Sequence, residues 1–173
     1  MSDSFDTALR FVLQWEGGYS NHPADKGGET NRGVTTAVYA NYRKKQGLPL
    51  RSVRLISDAE VKEIYKGGYW EAAGCNLLPP LLALCHFDWA VNAGTNRAIK
   101  TLQQVVGAEQ DGIIGPRTKT AVTAAVTLHG DKWLCDRYNA IREGKYRRWA
   151  VGSQAVFLAG WMNRLNALRR EVA

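Results

Sequence analysis

The sequence predicts a mainly α-helical fold, and three observations carry that prediction. Apolar residues recur at helical spacing along most of the chain, helix-start and helix-stop residues bracket those runs, and the strand–helix–strand rhythm of a parallel sheet is missing. In order, Phe5, Leu9, Val12 and Glu16 stand four, three and four residues apart, which puts them on one face of a first helix. Ser2, Asp3 or Ser4 can cap that helix, and Gly17-Gly18 stops it. Residues 17–33 are rich in Gly, Asn, Asp and Pro and read as a long loop or a small irregular hairpin. A helix follows over 35–46. The next starts at Ser57, where Glu60 completes a capping box, and runs towards Trp70. Pro79-Pro80 opens a strongly apolar helix that continues through Asn92 and ends at Gly94. Further helices are expected over 96–106, 116–128, 131–150 and 153–172, with a short turn at 111–115.

At 173 residues the chain makes one domain, or two small lobes sharing a core. A chain of this size buries about 70% of its unfolded surface and needs neither disulfide nor metal to fold. The net charge of +7 favours an anionic partner: nucleic acid, anionic lipid, or a cell wall carrying carboxylates and phosphates. Charge alone does not choose among them, and the basic clusters Arg43-Lys44-Lys45, Arg147-Arg148 and Arg169-Arg170 read singly as solvated helix faces. Cys75, Cys85 and Cys135 make an odd count without C-x-x-C spacing, which suits thiols in a reducing compartment and leaves one disulfide open. The acidic start and the short apolar stretch at 8–15, broken by Arg10, predict neither a Sec signal nor a membrane span. A substrate outside the cytoplasm would then have to be reached by another route.

Several chemistries lack their motifs: there is no Walker A loop, dinucleotide glycine fingerprint, H-E-x-x-H or G-x-S-x-G elbow, and His22, His86 and His129 are far apart. What stands out is Glu16, which continues the apolar face of the first helix just before a Gly-rich loop. Partial desolvation there disfavours its charged form, and the C-terminal end of the helix dipole acts the same way. A carboxylic acid held protonated is what a glycosidic leaving oxygen requires. Glycoside hydrolysis commonly needs a second carboxylate, and Asp25 and Glu29 lie in the following loop. Asn21, Thr30 and Asn31 can hold a water or a sugar hydroxyl there, and Tyr19, Tyr65, Tyr69 and Trp70 can stack on sugar rings, although the last three stand at core spacing. Asp25 has two readings, a catalytic partner or an Asx-turn residue.

A helix ending in Glu before a polar hairpin, with eight residues between Glu16 and Asp25 and four between Asp25 and Thr30, resembles the layout of phage-type lysozymes. The run Trp15-Glu16-Gly17-Gly18-Tyr19, then His22 through Thr35 with Gly28-x-Thr30-x-x-Gly33-Val34-Thr35, resembles the signature of the glycoside hydrolase family 108 N-acetylmuramidases. Phe87-Asp88-Trp89-Ala90-Val91-Asn92-Ala93-Gly94 resembles that family's D-x-A-V-N-x-G element. Leu102-Gln103 with Asp111-Gly112-Ile113-Ile114-Gly115-Pro116 is similar to a peptidoglycan-binding repeat, and Phe157, Gly160, Trp161 and Arg164 fit the F-x-x-G-W-x-x-R ending.

The resemblance implies a lysozyme-like, two-lobed helical domain, with a catalytic lobe over 1–92 and a peptidoglycan-binding-like helical lobe over 93–173. It implies a monomeric peptidoglycan hydrolase that cuts the β-1,4 bond between N-acetylmuramic acid and N-acetylglucosamine. Glu16 would be the proton donor and Asp25, or Glu29, the second carboxylate; Tyr19, Asn21, Thr30, Thr35, Asp88 and Asn92 would meet substrate. For Asp88 a buried structural role, bonded to backbone or arginines, competes with lining the cleft beside Asn92. No metal or cofactor, no nucleic acid and no stable membrane insertion are expected. The protein would be made in the cytoplasm and reach wall peptidoglycan through a holin or a dedicated export system. A lytic transglycosylase and a non-catalytic wall-binding protein are the rival readings.

Overall fold

The computed structural model describes residues 4–21 and 28–173. Packing divides the chain into two units, Leu9–Gly68 and a second made of Met1–Ala8 with Tyr69–Ala173. Helix α1 (Ser4–Leu13) passes from the second unit into the first.

In the first unit, strands β1 (Thr30–Asn31) and β2 (Val34–Thr35) pair antiparallel, Thr30 opposite Thr35 and Asn31 opposite Val34. Their two-residue turn has positive φ at both Arg32 (50°) and Gly33 (75°), the combination that matches strand twist in tight hairpins. Arg32 tolerates it because its guanidinium is held twice, by the Asp58 carboxylate and by the Ile56 carbonyl at 2.6 Å. Helix α2 (Thr36–Lys45) starts directly from the hairpin, with the Thr35 hydroxyl accepting from the Val38 N–H at 3.3 Å. Helix α3 (Asp58–Tyr65) carries the expected capping box: the Glu60 N–H donates to Ser57 Oγ at 3.3 Å and the Ser57 N–H to Glu60 Oε2 at 2.9 Å. Glu60 also receives Arg43, Arg51 and the Tyr39 hydroxyl, which ties α2, α3 and the loop between them. Burial acts to raise the Glu60 pKa, but the Ser57 backbone N–H, the Tyr39 and Ser57 hydroxyls and Arg51 outweigh it and hold it at about 2. Beyond α3 the chain widens into a π-helical turn over Lys66–Glu71, where Gly67-Gly68 weakens regular helix.

The second unit is built around α4 (Pro80–Ala93), buried on all sides from Leu82 to Ala90 and apolar there apart from His86 and Asp88. Its start lacks a local side-chain cap; the Asp131 carboxylate instead accepts from the Leu81 and Leu82 N–H groups at 3.0 and 3.1 Å. Helices α5 (Thr95–Val106), α6 (Pro116–His129), α7 (Asp131–Trp149) and α8 (Leu158–Glu171) complete the unit. The segment expected as one helix from Ser153 begins as a 3-10 turn, Gly152–Phe157. Phe5, Trp70 and Phe87 pack edge to face in the core, with ring centres 5.4–5.9 Å apart. Buried Gln103 organises the 111–115 turn, donating to Asp111 Oδ1 (2.6 Å) and the Ile113 carbonyl (3.0 Å) and accepting from the Gly112 N–H (2.9 Å). The L-Q and D-G-x-x-G-P pattern is thus a folding device.

The fold is mainly α, as the sequence predicts. The division between packing units falls at 68/69, because α4 packs against α5 and α7 and so groups with the helices after it. Cys75, Cys85 and Cys135 are all buried free thiols. Among the described residues, no helix is long and apolar enough to cross a membrane.

Candidate active site

Glu16 does not ride on α1. The helix ends at Leu13, the Gln14 and Trp15 N–H groups turn back to the carbonyls of Phe11 and Val12, and Glu16 occupies a bend three residues beyond. Gly17-Gly18 cannot prolong the helix, so the face shared by Phe5, Leu9 and Val12 stops short of the carboxylate. Glu16 is half-buried, and its side chain reaches the hairpin turn. A β-carbon placed on Gly33 would lie 2.9 Å from Glu16 Oε2 and would strike the Tyr65 hydroxyl. Glycine is needed here twice over, for its positive φ and for the space it leaves.

Tyr65, the last residue of α3, is buried except for this approach, and its hydroxyl donates to the Arg32 carbonyl at 2.9 Å. The phenol and the Glu16 carboxyl therefore sit side by side over a bare stretch of backbone. From sequence, Tyr65 counted as a core aromatic; its hydroxyl's role was hidden because Arg32 lies 33 residues away.

The other expected site residues divide into groups. Thr30 and Thr35 face each other across the hairpin, both half-buried, on the two strands that flank the Arg32-Gly33 turn. Tyr19 is 41% exposed, enough for a sugar to stack, with the Arg54 guanidinium 5.3 Å from its ring centre. Asn21 is exposed. Asn31 is buried, its amide donating to the carbonyls of Val53 and Arg54 at 3.2 and 3.3 Å, so it anchors β1 and has no free donor for a sugar. Glu29 accepts from the Ser52 hydroxyl at 2.9 Å. Asp25 lies outside the described residues; Ser20 and Thr30 pair as a bridge, with two backbone bonds of 2.9 Å.

Asp88 and Asn92 belong to the second unit. Asp88 is fully buried between Arg142 (2.5 Å) and Arg164 (2.8 Å), and a carboxylate with no exposed surface cannot meet a sugar. Of its two expected roles, the geometry serves the structural one. Burial acts to raise its pKa, but the two guanidinium charges prevail and hold it below the usual carboxylate range. Asn92 Oδ1 accepts from the Tyr146 hydroxyl at 2.6 Å, and that oxygen in turn receives Arg142 at 2.8 and 3.0 Å. The D-x-A-V-N element thus locks α4 to α7 and α8.

Residues 9–94 match the family model described as Glycosyl hydrolase 108, and residues 97–166 match one described as Predicted Peptidoglycan domain. The solved structure of Brucella abortus SagA is 32% identical, with a TM-score of 0.73 over 98% of this chain and 93% of that one. The chain belongs to the glycosyl hydrolase 108 family. A search among curated proteins found no match. The hydrolase is accordingly a glycoside hydrolase acting on peptidoglycan, with a mainly α, lysozyme-like fold.

Proposed function

We propose that this hydrolase is an N-acetylmuramidase, which hydrolyses the β-1,4 bond between N-acetylmuramic acid and N-acetylglucosamine with Glu16 as proton donor. The observation that carries the reading is the half-buried Glu16 carboxyl set over Gly33 beside the Tyr65 hydroxyl. A half-buried carboxyl there is held close to the hairpin turn while still reaching the surface, and Tyr65 positions it. Tyr19 offers a ring to a sugar, and Asn21, Thr30 and Thr35 offer polar groups near the hairpin.

The second carboxylate is assigned to Asp25, which either stabilises the oxocarbenium-like transition state or activates water. Residues 1–92 carry the chemistry and 93–173 hold the wall, a division supported by the two family matches meeting between 94 and 97. The enzyme acts as a monomer on periplasmic or cell-wall peptidoglycan, reached from the cytoplasm through a holin or dedicated export.

Mass spectrometry of peptidoglycan digests tests the assignment. Wild type should release fragments with reducing N-acetylmuramic acid ends, and Glu16→Gln should lose at least about 100-fold in rate, because an amide keeps the size but cannot donate the proton. Reducing N-acetylglucosamine ends, 1,6-anhydro ends, or a fully active variant would overturn it. Asp25→Asn should lower turnover sharply with little change in KM, while Glu29→Gln stays near wild type; a fully active Asp25→Asn would return Asp25 to an Asx-turn role.

A further inference from the structure

Away from Glu16, the second unit holds an open cavity of about 480 Å³ at the junction of α4 and α5, closed on another side by α7. Its charged lining is all of one sign: Arg97, Lys100 and Lys145, with Asn96, Thr95 and Gln110 completing the polar wall. None of the three cations makes an ion pair with a carboxylate among the described residues. Arg97 lies over the Trp149 ring at 4.7 Å and donates to the Ala93 carbonyl at 3.0 Å, contacts that fix its plane while leaving its charge uncompensated. Lys100 feels Asp111, whose carboxylate is itself taken up by Gln103 and the Ile113 N–H. Lys145 is half-buried; burial, then Arg148 and Arg97, lower its pKa.

Helix α5 starts at this cavity with no side-chain cap and no acid in its first turn, so its leading N–H groups add partial positive charge. Three unpaired cations gathered at one cavity repel one another, and an anion relieves that repulsion. Neutral sugars do not. The volume falls within the range of about 300–1,000 Å³ usual for small-ligand sites, which suits the end of a short peptide.

The geometry points to this cavity as a subsite for the carboxylates of peptidoglycan stem peptides, which recur along the glycan strand and would fix the enzyme's register on it. The inference rests on the peptidoglycan reading, but it concerns the peptide and not the scissile bond.

The test is an NMR titration of the intact ¹⁵N-labelled protein with a synthetic stem tetrapeptide, the same peptide with methyl-esterified carboxylates, and inorganic phosphate. The free peptide should shift the amide signals of Thr95, Asn96 and Arg97, and the ester should leave them in place. Lys100→Gln and Lys145→Gln should each weaken binding about three- to fivefold, as for partly exposed ion pairs, while Arg97→Lys keeps most of it. Equal binding of the ester, phosphate binding as tight as the peptide, or unchanged affinity in both lysine variants would overturn the proposal. The tetrapeptide contains no glycosidic bond. Stem binding with no muramidase products would therefore sink the muramidase assignment and leave this subsite standing; products without stem binding would do the reverse.

Discussion

Glu16 in the unit built from residues 9–68 and Asp88 in the unit of the later helices both stand where the sequence pattern draws attention to a carboxylate, yet their surroundings differ in kind. Asp88 is fully buried and faces two guanidinium groups, each within 2.8 Å. Glu16 is half-buried and faces a glycine backbone and a phenol oxygen. A carboxylate gripped by two permanent cations is fixed in its charged form and gains nothing from giving or taking a proton. The sequence pattern marks both residues, and their environments differ: one carboxylate ties helices together, and the other stands at a hairpin turn.

The largest expected effect lies on the architectural side. Asp88→Asn leaves two buried guanidinium groups without their counter-charge, and breaking such a pair costs about 3–5 kcal/mol of stability. Urea denaturation measures this, and a loss under about 1 kcal/mol would break the contrast with Glu16. The same variant carries a pH signature. The folded pKa of Asp88 lies below its unfolded value, so its contribution is complete above the ordinary carboxylate range and is lost as pH falls through the folded pKa. Asp88→Asn should lack that part of the acid destabilisation. Glu16→Gln, by contrast, should unfold like wild type while losing turnover.

What could be read in advance follows the range of each interaction. The Ser57–Glu60 capping box and the Pro79-Pro80 helix start are spelled within a few residues, and both are found in place. Glu16 was flagged by spacing, but the spacing carried the helix three residues too far: the chain leaves helix after Leu13, ahead of the Gly17-Gly18 stop that the pattern marks. The contacts that build the site are longer. Tyr65 reaches Arg32 across 33 positions, and Asp131 caps α4 from about 50 away. No local pattern announces such pairs. The conflict at the Arg32–Gly33 turn, where a non-glycine residue takes positive φ, is equally silent in sequence.

The next effect in size concerns the glycine on which Glu16 and Tyr65 converge. Gly33→Ala puts a methyl at φ 75°, a strain of about 1–2 kcal/mol, and drives it into both side chains. Displacing a proton donor by an ångström lowers turnover by about 100-fold, so kcat should fall by roughly 10–100-fold. Gly47→Ala supplies the control: its φ of 67° carries the same strain, but nothing lies within 4 Å of the added carbon. It should lose comparable stability and keep its turnover. Equal kcat in the two variants would remove Gly33 from the site.

The smallest effect is the most specific. Tyr65→Phe deletes the hydroxyl that donates to the Arg32 carbonyl, which should lower stability by about 0.5–1.5 kcal/mol. If the hydroxyl positions Glu16, kcat falls several-fold while KM holds, because substrate is still bound and only the donor is misplaced. A purely structural hydroxyl would lower stability and leave kcat alone. The double variant decides between them. In Gly33→Ala the added methyl strikes the Tyr65 oxygen, and removing that oxygen opens the space, leaving the approach to Glu16 Oε2 as the remaining conflict. Gly33→Ala with Tyr65→Phe should therefore lose less than the sum of the single variants in both stability and kcat, with a coupling of about 0.5–3 kcal/mol expected of residues in contact. Strict additivity would mean that the phenol and the glycine act independently, and Glu16 would then owe its placement to the hairpin alone.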